Sequence, residues 1–325
     1  MVPTKEEGEN KIKDGLVAID KNGNRWVWIE VPKLVTESSN NDSDIETALQ
    51  IYATDYRGSW TDEWYDGSGK TASTNLNDTT GCGLTNSQYN ELKSKMLNSI
   101  KSNGGFWIGQ YEAGIEGTGL PRTAEGEATQ TPVIQEGAYP YNYVTCSQAQ
   151  ERASTLSTGN YTSSLMFGIQ WDLVCKFIET NATNPGSTVD TIQKAIKNNS
   201  KDWGNYYDAN FDITRGQYTT SPSTANSWKN FDVTTDGYVE NNTKLANKRV
   251  LLTTGATDRN SLLNIYDFAG NVWEWTLEKS SDSFNPCSYR GGSYNSYGSG
   301  NPASYRSYHT ASYSDGDVGF RPTLY

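Results

Sequence analysis

The chain has 325 residues, only 34% of them hydrophobic, with a formal net charge of -11 and no cluster of Lys or Arg. That charge excludes a phosphate backbone or an anionic membrane surface as the natural partner, because both would be repelled. Ten Trp and 21 Tyr exclude a disordered chain, and no stretch approaches the ~20 apolar residues needed to span a bilayer.

Residues 1–15, MVPTKEEGENKIKDG, read as a lead-in without the apolar core of a signal peptide. Two β-rich runs in LVAIDKNGNRWVWIEV, from Leu16 to Val31, flank Asn22-Gly23 and predict a hairpin, because both turn residues accept positive φ. Tyr89, Leu92, Met96 and Ile100 recur at three and four residues, so a helix is expected over Asn86 to Ser102. It should stop at Asn103-Gly104-Gly105, with a strand resuming in GFWIGQYEAGI. Glu116 to Tyr139 has no periodicity and reads as an insertion or functional loop. Ser147 is expected to cap a helix through Ser157. Ile169, Leu173, Val174, Phe177 and Ile178 predict another over Gly168 to Thr180, with mostly short strands and loops beyond it. No repeat or linker divides the chain, so residues 16–325 read as one loop-rich α+β domain. Cys82, Cys146, Cys175 and Cys287 lie far apart in sequence and match no metal-binding spacing; buried free thiols are expected, with one disulfide as the alternative.

IYDFAGNVWEWT, from Ile265 to Thr276, is followed by RGGSY at Arg290 and GFRP at Gly319. Upstream stand GFWIGQYEAG at Gly105, SLMFGIQWDLVCKFI at Ser164 and DWGN at Asp202. In this order, over roughly Gly105 to Pro322, these segments resemble the formylglycine-generating enzyme and sulfatase-modifying-factor family, a branch of the C-type lectin fold. The motifs also have physical reasons of their own. Gly270-Asn271 suits a tight turn, and Trp273 and Trp275 alternate around Glu274, so that one indole is expected on each face of a strand. Arg290 and Arg321 are expected to pin loop ends through charge-assisted hydrogen bonds. Together with Gly291, Gly292 and Phe320, these residues read as scaffold. The resemblance also implies a structural calcium ion, for which Asn205 and Asp212 near DWGN are the candidate donors, a hydrogen-bonded turn being the alternative. No other cofactor is expected.

Enzymes of the family oxidise a substrate cysteine with copper held by a cysteine pair in the C-terminal segment, since soft thiolates select Cu(I). Between Arg290 and Arg321 this chain has no Cys. Where the family commonly reads YRCAAR, it reads Tyr305-Arg306-Ser307-Tyr308-His309-Thr310, and Cys287 has no second Cys nearby in sequence. Oxidase activity is therefore not expected. His309 is the only histidine, no Gly-x-Ser-x-Gly or His-Glu-x-x-His pattern accompanies it, and nothing marks out a pair of carboxylates.

The terminal strip is instead marked by composition. From Ser280 to Tyr325 there is no Lys, Glu, Gln, Met or Trp, although these make up 58 of the 325 residues, and average usage predicts about eight. Those five types are the ones that codons ending in a pyrimidine cannot encode. The pattern resembles the variable proteins of diversity-generating retroelements, in which AAY codons are diversified and which often use this same fold. A candidate variable region spans about 285–322. Tyr supplies rigid amphipathic contact area while Ser, Gly and Asn adapt, the mixture of antibody loops. Tyr294, Asn295, Tyr297, Asn301, Ser304, Tyr305, Ser307, Tyr308 and His309 are the expected contact surface. The function expected is non-enzymatic binding of a protein or glycan on a host or target cell surface, from a phage virion or a bacterial surface. An oxidase or other modifying enzyme, and a virion component whose strip faces a neighbouring subunit or a second copy, are the alternatives.

Overall fold

The first residues of the chain open a sheet that its last residues close. The expected hairpin is present as β2 (Val17–Ile19) and β3 (Arg25–Glu30), paired antiparallel with Val17 opposite Val27, and β1 (Val2–Pro3) adds to its edge. Asp20 shapes the turn, its Oδ1 accepting the backbone N–H groups of Asn22 and Asn24, while Gly23 takes a φ of 81°. Residues 1–15 are thus tied to the sheet, and Glu9 binds Arg25 of β3 at 2.6 Å. The computed structural model describes residues 1–33, 41–58, 61–62, 81–117, 119–182, 187–232, 235–280, 282 and 284–325.

The sheet continues from β3 to β4 (Gly105–Gly109), while β5 (Ser163–Leu165) forms its far edge. A second sheet carries the family motifs. It contains β6 (Trp273–Ser280), β7 (Cys287–Arg290), β8 (Arg306–His309) and β9 (Val318–Phe320), in the order β8-β7-β6-β9. The chain then crosses back as β10 (Pro322–Leu324), which inserts between β4 and β5.

Among the described residues five α-helices are present: α1 (Asp42–Tyr52), α2 (Asn86–Asn103), α3 (Cys146–Ser154), α4 (Gly168–Asn181) and α5 (Val189–Lys197). The expected helix from Asn86 is α2, opened by a capping box of Thr85 and Gln88 and stopped by Gly104 in the left-handed region. The cap of α3 is Thr145 rather than Ser147. Thr145 forms a reciprocal capping box with Gln148 and leaves Ser147 one residue inside the helix, which ends at Ser154 rather than Ser157. Helices α1 and α5 were not expected. Each buries little, Ile45 and Leu49 in one and Ile196 in the other, so neither has a long apolar stripe.

Trp26, Trp171 and Trp275 are the largest fully buried side chains. Their N–H groups are not wasted: the Trp171 indole donates to the Ala303 carbonyl and that of Trp275 to the Val144 carbonyl, both at 2.9 Å. The expectation that Trp273 and Trp275 lie on opposite faces of β6 is corrected. Both rings meet Tyr289 edge-on, at 4.8 and 5.0 Å, because residues two apart on a strand point to the same side. Glu274, between them, faces the other way and binds Arg321.

Candidate functional site

The terminal strip, Arg290 to Arg321, is held at both ends by buried arginines. Arg290 donates to Glu278 at 2.8 Å and to Asp172 at 2.6 Å. Arg306, inside the strip, binds the same two carboxylates from the other side, with Nε on Glu278 at 2.6 Å and a second nitrogen on Asp172. Two anions and two cations therefore balance in a buried square, the arrangement needed if charge is to be removed from water without being left unpaired. Burial pushes the Asp172 carboxyl up to about 6 against the pull of Arg306 and Arg290. At the far end Arg321 forks onto Glu274 and donates to the carbonyls of Gly109 and Tyr266. Between them the Gly-Gly turn has no alternative residue: at Gly292, φ is 78° and an added Cβ would lie 2.4 Å from the Asn301 carbonyl oxygen. Asn271 sits at φ 58°, its side chain accepting from Leu252 N–H and donating to Glu112. Asp172, Glu278, Glu112 and Arg306 were not singled out in sequence, though the charge-assisted hydrogen bonds expected of Arg290 and Arg321 call for acceptors that the sequence does not locate.

The expected contact residues do not form one surface. Cross-strand register sets Ser307 opposite Tyr289, Tyr308 opposite Ser288 and Cys287 opposite His309. Opposed side chains share a face, so Ser307 and His309 stand over the Tyr289 ring, whereas Tyr308 points to the arginine side of the sheet. Tyr305 belongs with the first group, its ring 6.1 Å from Trp273. Tyr313, missed in sequence, completes that face: it stacks on His309 at 3.6 Å and on Tyr289 at 6.4 Å. Tyr305, Ser307, His309 and Tyr313 thus lie on an aromatic floor of Trp273 and Tyr289. Partial burial lowers the pKa of the His309 ring, which favours the neutral form. Asp317 borders the strip and orders its start, accepting from the Ser293 hydroxyl at 2.9 Å and the Asn295 amide at 3.1 Å.

The remaining candidates divide by depth. Tyr297 and Tyr308 are exposed at 53% and 39%, and Tyr305 at 40%. Asn295, Asn301 and Ser304 are half-buried, and Ser304 donates to the Ile196 carbonyl from both its N–H and its hydroxyl. Tyr294 is a correction: only 5% exposed, it packs with Leu251 and Val272 under the strip and has no surface to offer.

A platform around residues 205–209 supports the Tyr297 end. Tyr207 N–H donates to the Ser296 carbonyl, Gly298 N–H to Asp208, and the Tyr207 and Tyr297 rings meet edge-on at 5.2 Å. The cation beneath this platform is the chain's own. Lys244 Nζ donates to the carbonyls of Tyr206 and Ala209 at 2.8 and 2.9 Å, with those of Leu245 and Tyr207 at 3.4 and 3.5 Å, and burial brings its pKa down to about 7. The two candidate calcium donors differ, because the Asn205 side-chain oxygen is buried with no hydrogen-bond partner whereas the Asp212 carboxylate is engaged. Asn205 donates its amide to the Val250 carbonyl and Asn271, and Asp212 accepts from the Thr243 hydroxyl. Among the described residues no group of three or more His, Cys, Asp or Glu could hold a metal ion. Nor do the residues in place of the family's copper ligands fit that metal, since Ser307, Tyr308 and His309 offer no thiolate.

Two sheets joined through β10, a motif frame pinned by Arg290 and Arg321, and a long surface strip between them define a C-type lectin-like α+β fold of the formylglycine-generating type. The chain belongs to that family: the model of the sulfatase-modifying factor enzyme 1-like domain matches residues 83–323. Among solved structures it is similar to Treponema denticola variable protein 1, with 14% identity and a TM-score of 0.32, covering 68% of this chain and 84% of that one. No curated protein matches the chain. Among the described residues no helix is long and apolar enough to cross a membrane.

Proposed function

We propose that this protein is a non-enzymatic binding protein of the retroelement-diversified kind, presenting Tyr305, Ser307, His309 and Tyr313 to a protein or glycan on a target cell surface. A phage virion or a bacterial surface is the setting that suits such a role. One observation carries the reading: side chains drawn from the pyrimidine-ending codon set stand exposed or half-exposed on an aromatic floor, above a frame whose charges are all spent in burial. The strip from Ser280 onward has three cations, Arg290, Arg306 and Arg321, and each is buried against carboxylates. The surface that remains is aromatic, hydroxyl-rich and mildly acidic through Asp315, which fits a neutral or basic ligand.

The genomic locus tests this directly. A template repeat beside a reverse-transcriptase gene is expected, differing from the coding strip at adenines in codons for Tyr297, Tyr305, Ser307, Tyr308 and His309. The codons for Arg290, Tyr294, Arg306 and Arg321 should be the same in every copy. A locus with neither repeat nor reverse transcriptase overturns the retroelement reading. Family membership favours one other reading, a modifying enzyme; incubation with copper and a cysteine-containing peptide, yielding no aldehyde, would remove it.

A further inference from the structure

Three of the four cysteines, scattered in sequence, meet in the core. Cys146 is the first residue of α3, Cys287 the first of β7, and Cys82 lies in the turn before α2. Cys146 Sγ is held against the Thr276 carbonyl, and the Thr276 hydroxyl donates to the carbonyl of Ser288, the residue next to Cys287, so the Cys146 and Cys287 thiols share one pocket beside β6 and β7 and act on each other, with Cys82 also acting on Cys146. The surroundings leave little slack: an added Cβ at Gly81 would lie 2.4 Å from Cys287 Sγ, and Cys146 Sγ reaches the Thr276 carbonyl at 3.6 Å. All four cysteines are buried thiols. Cys175 lies elsewhere, on α4, where Arg290, Asp172 and Arg306 act on it. A route toward the cluster exists, because a cavity of about 510 Å³ between α2 and α3 has Cys82 in its wall beside Gly83, Leu84 and Ser147.

We infer that Cys146 and Cys287 are a redox staple that closes to a disulfide when the protein meets a disulfide oxidant. The two S–H bonds break and one S–S bond forms between them. The two electrons and two protons pass to a small-molecule disulfide such as oxidised glutathione, which leaves as two thiols. Reactivity requires transient opening, because burial and the neighbouring thiol hold Cys146 well above the usual thiol range and so keep it protonated at rest. The staple's position gives it meaning for the strip. Cys287 pairs with Lys279 of β6 on one side and His309 of β8 on the other, so the bond would fasten the strand beneath the candidate surface to α3. Outside a reducing cytosol the surface would then rest on a covalently braced floor.

The test uses the full chain, folded, incubated with oxidised glutathione, then denatured with a thiol-blocking reagent and mapped by mass spectrometry without reduction. Two of four thiols are expected to disappear into one peptide linking Cys146 to Cys287. The thermal midpoint should rise and return on reduction, since the link constrains a long loop of the unfolded chain. Cys175→Ser should oxidise identically. Four thiols still blocked after incubation, a stable glutathione adduct, or a link through Cys82 or Cys175 would each overturn the inference. None of these results depends on whether the strip binds a ligand.

Discussion

Adjacent residues of β8 live under opposite rules. Arg306 is enclosed by Asp172 and Glu278, whereas Ser307, its neighbour, stands over Tyr289 on the open face. The first position tolerates one chemistry, because any other residue leaves two buried carboxylates with a single arginine. The second makes no demand on the fold beyond fitting a strand. A strip can therefore vary at alternate positions without risking the structure, provided that the arginines, the Gly-Gly turn and Tyr294 stay constant. The division between frame and face follows strand period and burial, not distance along the chain.

The largest effect should come from the frame. Arg306→Ala leaves the Asp172–Glu278 pair short of one cation in a buried site, and breaking a buried pair in this way costs about 3–5 kcal/mol. A large fall in the chemical-denaturation midpoint, or failure to recover folded protein, is expected; a loss within ~0.5 kcal/mol would mean the network is not buried as described. Next in size is the platform. Lys244→Ala orphans the carbonyls of Tyr206 and Ala209, a loss of about 1–3 kcal/mol. Because that loop holds Ser296 and Tyr297, faster amide exchange at Tyr207 and Gly298 should accompany the change. Unaltered exchange there would break the link between Lys244 and the strip.

The acid cluster around Arg321 predicts a pH effect of intermediate size. Glu112, Asp267 and Glu274 crowd one guanidinium, and burial raises all three, Asp267 to about 6 and Glu274 to about 7. An acid whose pKa is raised on folding binds its proton more tightly in the native state. The associated stability is present at low pH and is lost as pH rises through about 6 to 7. The thermal midpoint should therefore be higher near pH 5 than near pH 8. Repeating the comparison at high salt, which screens surface repulsion, should leave the slope largely in place. A flat profile there would show that the cluster titrates normally.

Sequence periodicity made much of the frame readable: the hairpin, α2, α4 and the motif order all follow from local patterns. Helices α1 and α5 escaped because one or two buried residues leave no long stripe. The face was harder to read. Tyr294, Tyr297, Tyr305 and Tyr308 look alike in a Tyr/Ser/Gly run, yet one is buried and two of the others lie on opposite sides of a strand, because only pairing with β7 sets which way each points. Nothing in the local sequence marks Arg306 as frame, because its two carboxylates lie more than a hundred and nearly thirty residues upstream. The same long-range folding gathered the thiols and put Lys244 under Tyr207.

The smallest effect on stability should carry the greatest effect on binding. Tyr305→Ala and His309→Ala remove partly exposed rings at the surface, so each should change stability by no more than ~1 kcal/mol. If the floor of Trp273 and Tyr289 is where a ligand docks, either change should weaken binding at least tenfold, since aromatic anchors dominate such surfaces. Tyr308→Ala is the matched comparison. It removes an equally exposed tyrosine three residues further on but from the other side of the sheet, so binding to the same target cells should be nearly unchanged. Equal losses from Tyr305→Ala and Tyr308→Ala would mean that the ligand wraps the edge strand rather than resting on one face, and the strip would then act as a ridge.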